Sequence, residues 1–311
     1  MYKFNNIYKS FSLLLIVIIL ISLLYIINST TKEGFDKVSL HSWWGNGDEV
    51  STEIFEKLFQ DTSKKVEVYS VMGDPPSEKK KDTIYVQFSG ESRFHDPDIF
   101  DINFIPSDKK ADNIILFPLG FFTILHANNP NNVNVLSTTR TLNNHKSQFC
   151  IFAVSNGSGE HRNNFFNNLS KYKKVDSCGK HLNNMESCPG TSDEYLAFLS
   201  KYKFMICFEN SSVPNYFTEK LINAYIANTI PIYWGCPNIS DYVNMDSILY
   251  LKHDYTDNDV KSLIDNIEYL DNNDDAYRAK FESIFFKNGR LPDECNIDKI
   301  RSNINNKLLT I

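Results

Sequence analysis

The sequence predicts an α/β protein built on parallel sheets, and three observations carry that reading. Residues 202–236, YKFMICFENSSVPNYFTEKLINAYIANTIPIYWGC, run strand, helix, strand, the pattern of a right-handed crossover between parallel strands. Short apolar runs and amphipathic helices alternate again on both sides of a polar, Asn-rich crossing at residues 119–142, which splits the chain into two strand-rich halves. With 311 residues, 42% hydrophobic and 14% aromatic, there is material for two ordinary domains with full cores.

Within the crossover, the apolar run at residues 204–208 has the length of a buried strand and stops at the polar loop 209–215. Thr218 suits an N-cap, and Glu219 in the first turn suits the helix dipole. Leu221, Ala224, Tyr225 and Asn228 then share one face, with Asn228 as a C-terminal stop. A second buried run, residues 230–234, ends at Gly235. In open parallel sheets ligands bind outside the carboxyl ends of the strands, where helix N-termini offer free N–H groups. Lys220 in that first turn makes a site for a diphosphate, and Glu219 one for sugar hydroxyls. The pattern alone equally describes the exposed first turn of an ordinary helix.

The strings KFMICFENS, NYFTEKLINAY and TIPIYWG, in that order, resemble the donor-binding signature of the α1,3-fucosyltransferases, glycosyltransferase family 10, especially its bacterial members. Weaker similarity extends to SWWG at residues 42–45, FSGE at 88–91 and SNGSGEHRNNFF at 155–166. The resemblance implies a GT-B-like fold, two Rossmann-like domains facing a cleft. It also implies GDP-fucose as donor and inverting α1,3 transfer to a GlcNAc or glucose hydroxyl of a glycan. The family's GE motif makes Glu91 the candidate general base. Arg162, Tyr216, Glu219 and Lys220 are carried over as donor contacts, with Glu209 and Asn210 as their neighbours. Two rivals stay open: a transferase for another nucleotide-sugar, and a non-catalytic, membrane-tethered glycan- or nucleotide-binding relative.

Taken in order, the chain begins with a 1–10 tail and an uncharged apolar run at residues 11–27. At 1.5 Å per residue that run reaches about 26 Å, enough for a transmembrane helix in a thin bilayer. Lys3 and Lys9 place the tail in the cytosol and the remainder on the far side, a type II anchor; a cleaved signal peptide is the competing reading. Family resemblance makes the compartment the Golgi lumen. Residues 28–37 form a stem, 38–142 an acceptor-side domain, and 143–311 the nucleotide-sugar domain.

In the first of these domains residues 38–41 read as a strand opening onto Trp43 and Trp44, whose rings are either core filler or a platform for sugars. Residues 53–59 read as helix and 66–71 as strand. The strand at 84–88 delivers Glu91 to its carboxyl end, where a carboxylate can take an acceptor proton; a solvated loop glutamate is the alternative. Residues 98–105 and 113–118 read as further strands, and 119–142 as the domain linker.

The second domain opens with a strand at 149–154 and a helix from Glu160 that buries Phe165, Phe166 and Leu169. Arg162 lies in its first turn, able to hold diphosphate oxygens bidentately or to sit as a surface arginine. Cys178 and Cys188 would close a short loop, whereas Cys150, Cys207 and Cys236 read as buried strand positions; spacing does not fix the pairing. Helices follow at 193–201, 260–270, 276–286 and 298–309, and residues 239–243 and 247–251 continue the αβ alternation.

A net charge of −6 and a pI near 5.7 argue against nucleic acid as a partner. The Asp-x-Asp pairs Asp96-Pro97-Asp98 and Asp257-Asn258-Asp259 do not end buried strands and read as turns. The seven His show no metal-ligand spacing, so neither a metal nor another cofactor is expected. N-glycosylation sequons occur at Asn28, Asn156, Asn168, Asn210 and Asn238.

Overall fold

The computed structural model describes residues 37–43, 49–108, 111–126, 130–142, 146–190 and 192–309. The apolar run at residues 11–27 and Trp44 lie outside the described residues. Among those described, no helix is long and apolar enough to cross a membrane.

The first sheet comprises β1 (Val38–His41), β2 (Lys65–Ser70), β3 (Thr83–Phe88) and β4 (Ile102–Phe104), all parallel and in sequence order. The second comprises β5 (Gln148–Phe152), β6 (Val175–Ser177), β7 (Tyr202–Phe208), β8 (Ile230–Trp234) and β9 (Leu249–Tyr250), parallel and ordered β6-β5-β7-β8-β9. Every residue of β7 and of β8 is buried, as continuous apolar strands must be when both faces of a sheet are covered. The order reverses between β5 and β7, so their carboxyl ends flank a topological switch point, where such sheets open a binding crevice.

The helices are α1 (Glu49–Leu58), α2 (Leu119–His126), α3 (Pro130–Ser137), α4 (Glu160–Tyr172), α5 (Ser192–Leu199), α6 (Glu219–Ile226), α7 (Asp257–Asp271), α8 (Asp274–Phe281) and α9 (Ile297–Leu308). Thr218 caps α6, its hydroxyl accepting from the Lys220 N–H, and Asn228 just beyond the helix takes a left-handed φ of 56°. The predicted capping chemistry therefore sets both ends of this helix.

Several expectations are corrected. Residues 98–105 are mostly not strand: Asp96 caps a 3-10 turn at Pro97–Ile99, and pairing is confined to β4. Residues 113–118 contribute a single bridge, Ile114 to Asn103. The stretch read as a polar linker is helical, because Leu119–His126 is apolar and buries Gly120, Phe121, Phe122 and Ile124. Residues 239–251 supply two 3-10 turns and the two-residue β9 rather than a regular αβ unit. The second Asp-x-Asp pair is a helix start, Asp259 closing a capping box with Thr256.

α2 forms the seam between the halves. The Gly120 N–H donates to the Phe217 carbonyl at 3.0 Å, and Phe121 meets the rings of Phe217 and Tyr242 edge-on. A Cβ on Gly120 would fall 2.4 Å from the Phe217 ring, so only glycine allows this approach. At the far end of the crossing, Arg140 is 4% exposed. Its guanidinium donates to the carbonyls of Phe281, Tyr225 and Thr229 and lies between the rings of Tyr225 and Phe281, at 3.6 and 4.2 Å. α9 returns to the first half, where Asn305 and Arg301 reach Asp61 and Arg301 reaches the Lys57 carbonyl.

Candidate functional site

The carboxyl ends of β5 and β7 bring together the residues of the crossover motif and the SNGSG loop. Arg162 enters from the first turn of α4, seated there by Phe165, Phe166 and Leu169 on the buried face. It is 2% exposed rather than a surface arginine. One Nη donates to Asn210 Oδ1 at 2.6 Å, the other to the Asn156 carbonyl, and the buried Nε has no protein partner. A guanidinium only donates, so this bond fixes the Asn210 amide with its oxygen toward Arg162. Burial lowers the Arg162 pKa, against the opposing fields of Glu209 and Tyr216. A Cβ on Gly159 would fall 2.5 Å from Nε, so the loop is glycine where the guanidinium passes.

Glu209 follows β7 and is 1% exposed. Its Oε1 accepts from the Thr218 N–H at 2.8 Å and its Oε2 from the Thr218 hydroxyl at 2.9 Å. The Thr218 hydroxyl in turn accepts from Lys220 Nζ at 2.9 Å, and Nζ lies 3.4 Å from Glu209 and 3.3 Å from Glu219. Burial works to lower the Lys220 pKa, but Glu209 and then Glu219 outweigh it and the net shift is upward. Lys220 is therefore a fixed ammonium at the α6 N-terminus, anchored from behind by a buried carboxylate. Gly235, at φ 150°, is required by the same packing, since its Cβ would fall 2.5 Å from Glu209 Cγ.

Glu91 arrives from the other sheet. The Ser89 hydroxyl, at the end of β3, holds the turn by contacts to the carbonyls of Glu91 and Arg93 and the N–H of Glu91. Ser92 then donates across the seam to Ser211 at 3.1 Å. Tyr216, 3% exposed, lies between the two loops: burial raises its phenol pKa first, then the charges of Glu209 and Glu91, with Lys220 opposing. Glu91, Tyr216, Glu209, Glu219 and Lys220 thus stand within one electrostatic neighbourhood.

The surroundings of three nominated residues narrow the alternatives. Trp43 is core: it is 7% exposed, donates to Ser51, and packs against Phe55, Phe88 and Phe122, leaving no face for a sugar. Glu209 has no exposed side-chain surface, so it supports Lys220 instead of meeting a ligand. Arg162 already spends both Nη groups on protein, so its bonds in this arrangement orient Asn210 and the Asn156 loop. Sequence reasoning missed Thr218 as the relay between Glu209 and Lys220, and Asn215, whose side chain ties Asn238 and Tyr242 to the Ser107 carbonyl across the seam. The available signal was an Asn in the loop after β7, since Asn tolerates a left-handed φ, 64° here, best after Gly.

The disulfide Cys178–Cys188 closes the loop after β6 against the SNGSG loop, where the His181 N–H donates to the Val154 carbonyl at 3.0 Å. Beside it, His161 stacks on Trp234 at 4.6 Å and meets the Tyr255 hydroxyl at 2.6 Å. Among the described residues no group of three or more His, Cys, Asp or Glu converges for a metal ion.

Two parallel sheets, the second with Lys220 at a helix N-terminus beside a switch point, define an α/β class, and similarity to known proteins sharpens this. Residues 143–283 match the profile described as glycosyltransferase family 10 (fucosyltransferase) C-term. A provisionally named fucosyltransferase of Acanthamoeba polyphaga mimivirus is 34% identical over 168 residues, 51% of this chain and 27% of that one. The α-(1,3)-fucosyltransferase FucT of Helicobacter pylori is 38% identical over 132 residues, 42% of this chain and 26% of that one. The chain thus spans about a quarter of the length of these relatives. A crystal structure of an α1,3-fucosyltransferase superposes with a TM-score of 0.67 at 22% identity, covering 88% of this chain and 89% of that one. Another, with GDP-fucose, gives 0.63 at 21%, covering 87% and 89%. The fold is therefore the α/β arrangement of these enzymes.

Proposed function

We propose that this protein is an inverting α1,3-fucosyltransferase that moves fucose from GDP-fucose to a GlcNAc or glucose hydroxyl of a glycan. The observation that carries this reading is the Ser92–Ser211 contact, which joins the Glu91 turn of the first sheet to the loop after β7 that precedes the Lys220–Thr218–Glu209 relay. The donor diphosphate lies at the α6 N-terminus, where Lys220 and the positive end of the helix dipole face it. Glu219 accepts from sugar hydroxyls, and Tyr216 lines the site between the loops.

In the reaction the acceptor oxygen attacks the anomeric carbon from the face opposite GDP. The carbon–oxygen bond to the β-phosphate breaks, its electron pair leaves with GDP, and Glu91 takes the acceptor proton. Lys220, with Arg162 behind it, stabilises the growing charge on GDP through groups already held in place, without a metal or other cofactor. Residues 11–27 serve as a type II anchor with the catalytic part in the Golgi lumen.

Turnover by residues 37–311 with GDP-fucose and N-acetyllactosamine or chitobiose, in EDTA, tests the reading. Glu91→Gln should lower kcat by roughly 10²–10⁴-fold while GDP-fucose still raises the melting temperature. Absence of any thermal shift with GDP-fucose, beside a shift with another nucleotide-sugar, would overturn the donor; EDTA-sensitive turnover would overturn the metal-free step.

A further inference from the structure

Five large apolar side chains are conspicuously exposed among the described residues: Met72, Phe94, Leu182, Tyr269 and Leu309. Two of them share one sheet end. β2 and β3 are paired level, Ser70 beside Phe88, so their carboxyl ends finish side by side. Met72 lies two residues past the end of β2 and is 45% exposed; Phe94 lies three residues past Glu91 and is 38% exposed. The Arg93 guanidinium reaches back to within 3.8 Å of Met72 Sδ, joining the two turns. The loop bearing Phe94 is also built rather than loose. Ser89 holds the Glu91 and Arg93 carbonyls, the His95 N–H donates to Gln87 Oε1 at 2.6 Å, and Ser92 bonds to Ser211.

We infer that Phe94 and Met72 form the acceptor platform of the site, receiving the apolar C–H face of a hexopyranose whose attacking hydroxyl is directed to Glu91. This rests on the fucosyltransferase reading and assigns the acceptor contacts that Trp43, buried in the core, does not make. An aromatic face and a polarizable thioether beside a carboxylate match the two surfaces of a sugar, apolar C–H on the ring and hydroxyl at its edge. Both side chains are exposed in turns that end side by side next to Glu91, so their apolar surface is open to a ligand there. Continuity with the proposed proton acceptor favours a glycan as occupant.

The test is a comparison of KM values for N-acetyllactosamine and for GDP-fucose in the wild type, Phe94→Ala, Met72→Ala and Phe94→Tyr. The platform requires that Phe94→Ala raise the acceptor KM by roughly tenfold, that Met72→Ala raise it less, and that the donor KM stay put; Phe94→Tyr should restore the acceptor value. An acceptor KM unchanged in Phe94→Ala overturns the platform while leaving the fucosyltransferase reading intact. If GDP-fucose binds but neither disaccharide is fucosylated, saturation-transfer NMR with N-acetyllactosamine, chitobiose and lactose in the presence of GDP decides instead. Ring-proton signals abolished by Phe94→Ala support the platform, and signals that persist, or none with any of the three, overturn it. Failure to bind GDP-fucose at all removes the functional reading first, and the platform with it.

Discussion

At the scale of single residues, the site depends on a buried carboxylate that touches no ligand. Glu209 is enclosed by Thr218, Lys220 and the backbone at Gly235, and Lys220 is the cation in direct contact with it. Removing one partner of such a pair leaves the other charged and dry, at a cost of about 3–5 kcal/mol when both are buried. Lys220 keeps some solvent contact, so Lys220→Met should cost less, about 2 kcal/mol in urea unfolding, and should abolish stabilisation by GDP-fucose. The pair of changes Lys220→Met and Glu209→Gln should recover much of the stability and none of the binding, which separates support from ligand contact. Gly235→Ala attacks the same carboxylate from the backbone side: its φ of 150° and the Glu209 Cγ at 2.5 Å leave no room for a methyl group. We expect a lowered melting temperature and weakened GDP-fucose binding together, measured by thermal shift with and without the donor.

At the scale of elements, the sequence disclosed those whose chemistry is local. β7, α6 and β8 were legible because a continuous apolar run, a Thr cap and an Asn stop act within a few residues of one another. Glu91 and Lys220 were legible as strand-end and helix-start residues, although the Ser92–Ser211 contact that joins their loops was not. α2 was hidden because its apolar Leu119–His126 adjoins an Asn-rich run whose polarity dominated the reading. Arg140 gave no signal in a polar stretch: its carbonyl partners lie 85 to 141 residues away and converge only after folding. Arg162 and Asn210, 48 residues apart, were each nominated, but not their bond.

Arg140 also allows a prediction at this scale, because it joins the crossing to the end of α6, the start of β8 and the end of α8 without a carboxylate. Burial, partly offset by Tyr225, lowers its pKa to about 10, so the charge persists at neutral pH. Arg140→Ala should cost about 3 kcal/mol through the cavity and the orphaned carbonyls, whereas Arg140→Met, which fills the space without a charge to desolvate, should cost distinctly less. Chemical denaturation of the two variants checks the order.

At the scale of the whole molecule, stability has a pH dependence that separates the second sheet's distal end from the proposed donor site. Asp271 ends α7 at the opposite edge from the site, and its side chain is 3% exposed with Lys173 at 2.7 Å and Lys203 at 3.1 Å. Burial pushes its pKa up, but the hydrogen bonds and charges of the two lysines prevail and the net shift is below the usual 3.8. A carboxyl whose folded pKa lies below its unfolded value binds fewer protons folded, so its stabilisation is complete above about pH 4 and is lost as pH falls through the folded value. Wild-type unfolding free energy should therefore decline as pH drops below about 4. Asp271→Asn should be less stable at pH 7, by about 3 kcal/mol because Lys203 is left buried beside a neutral amide, and should show a shallower acid slope. Urea titrations at pH 7, 4 and 3 measure both, and equal slopes in the two proteins would sink the assignment. Because Asp271 stands away from Glu91 and Lys220, GDP-fucose should stabilise the variant by the same increment as the wild type at pH 7, which makes donor binding a property of the switch point and not of overall stability.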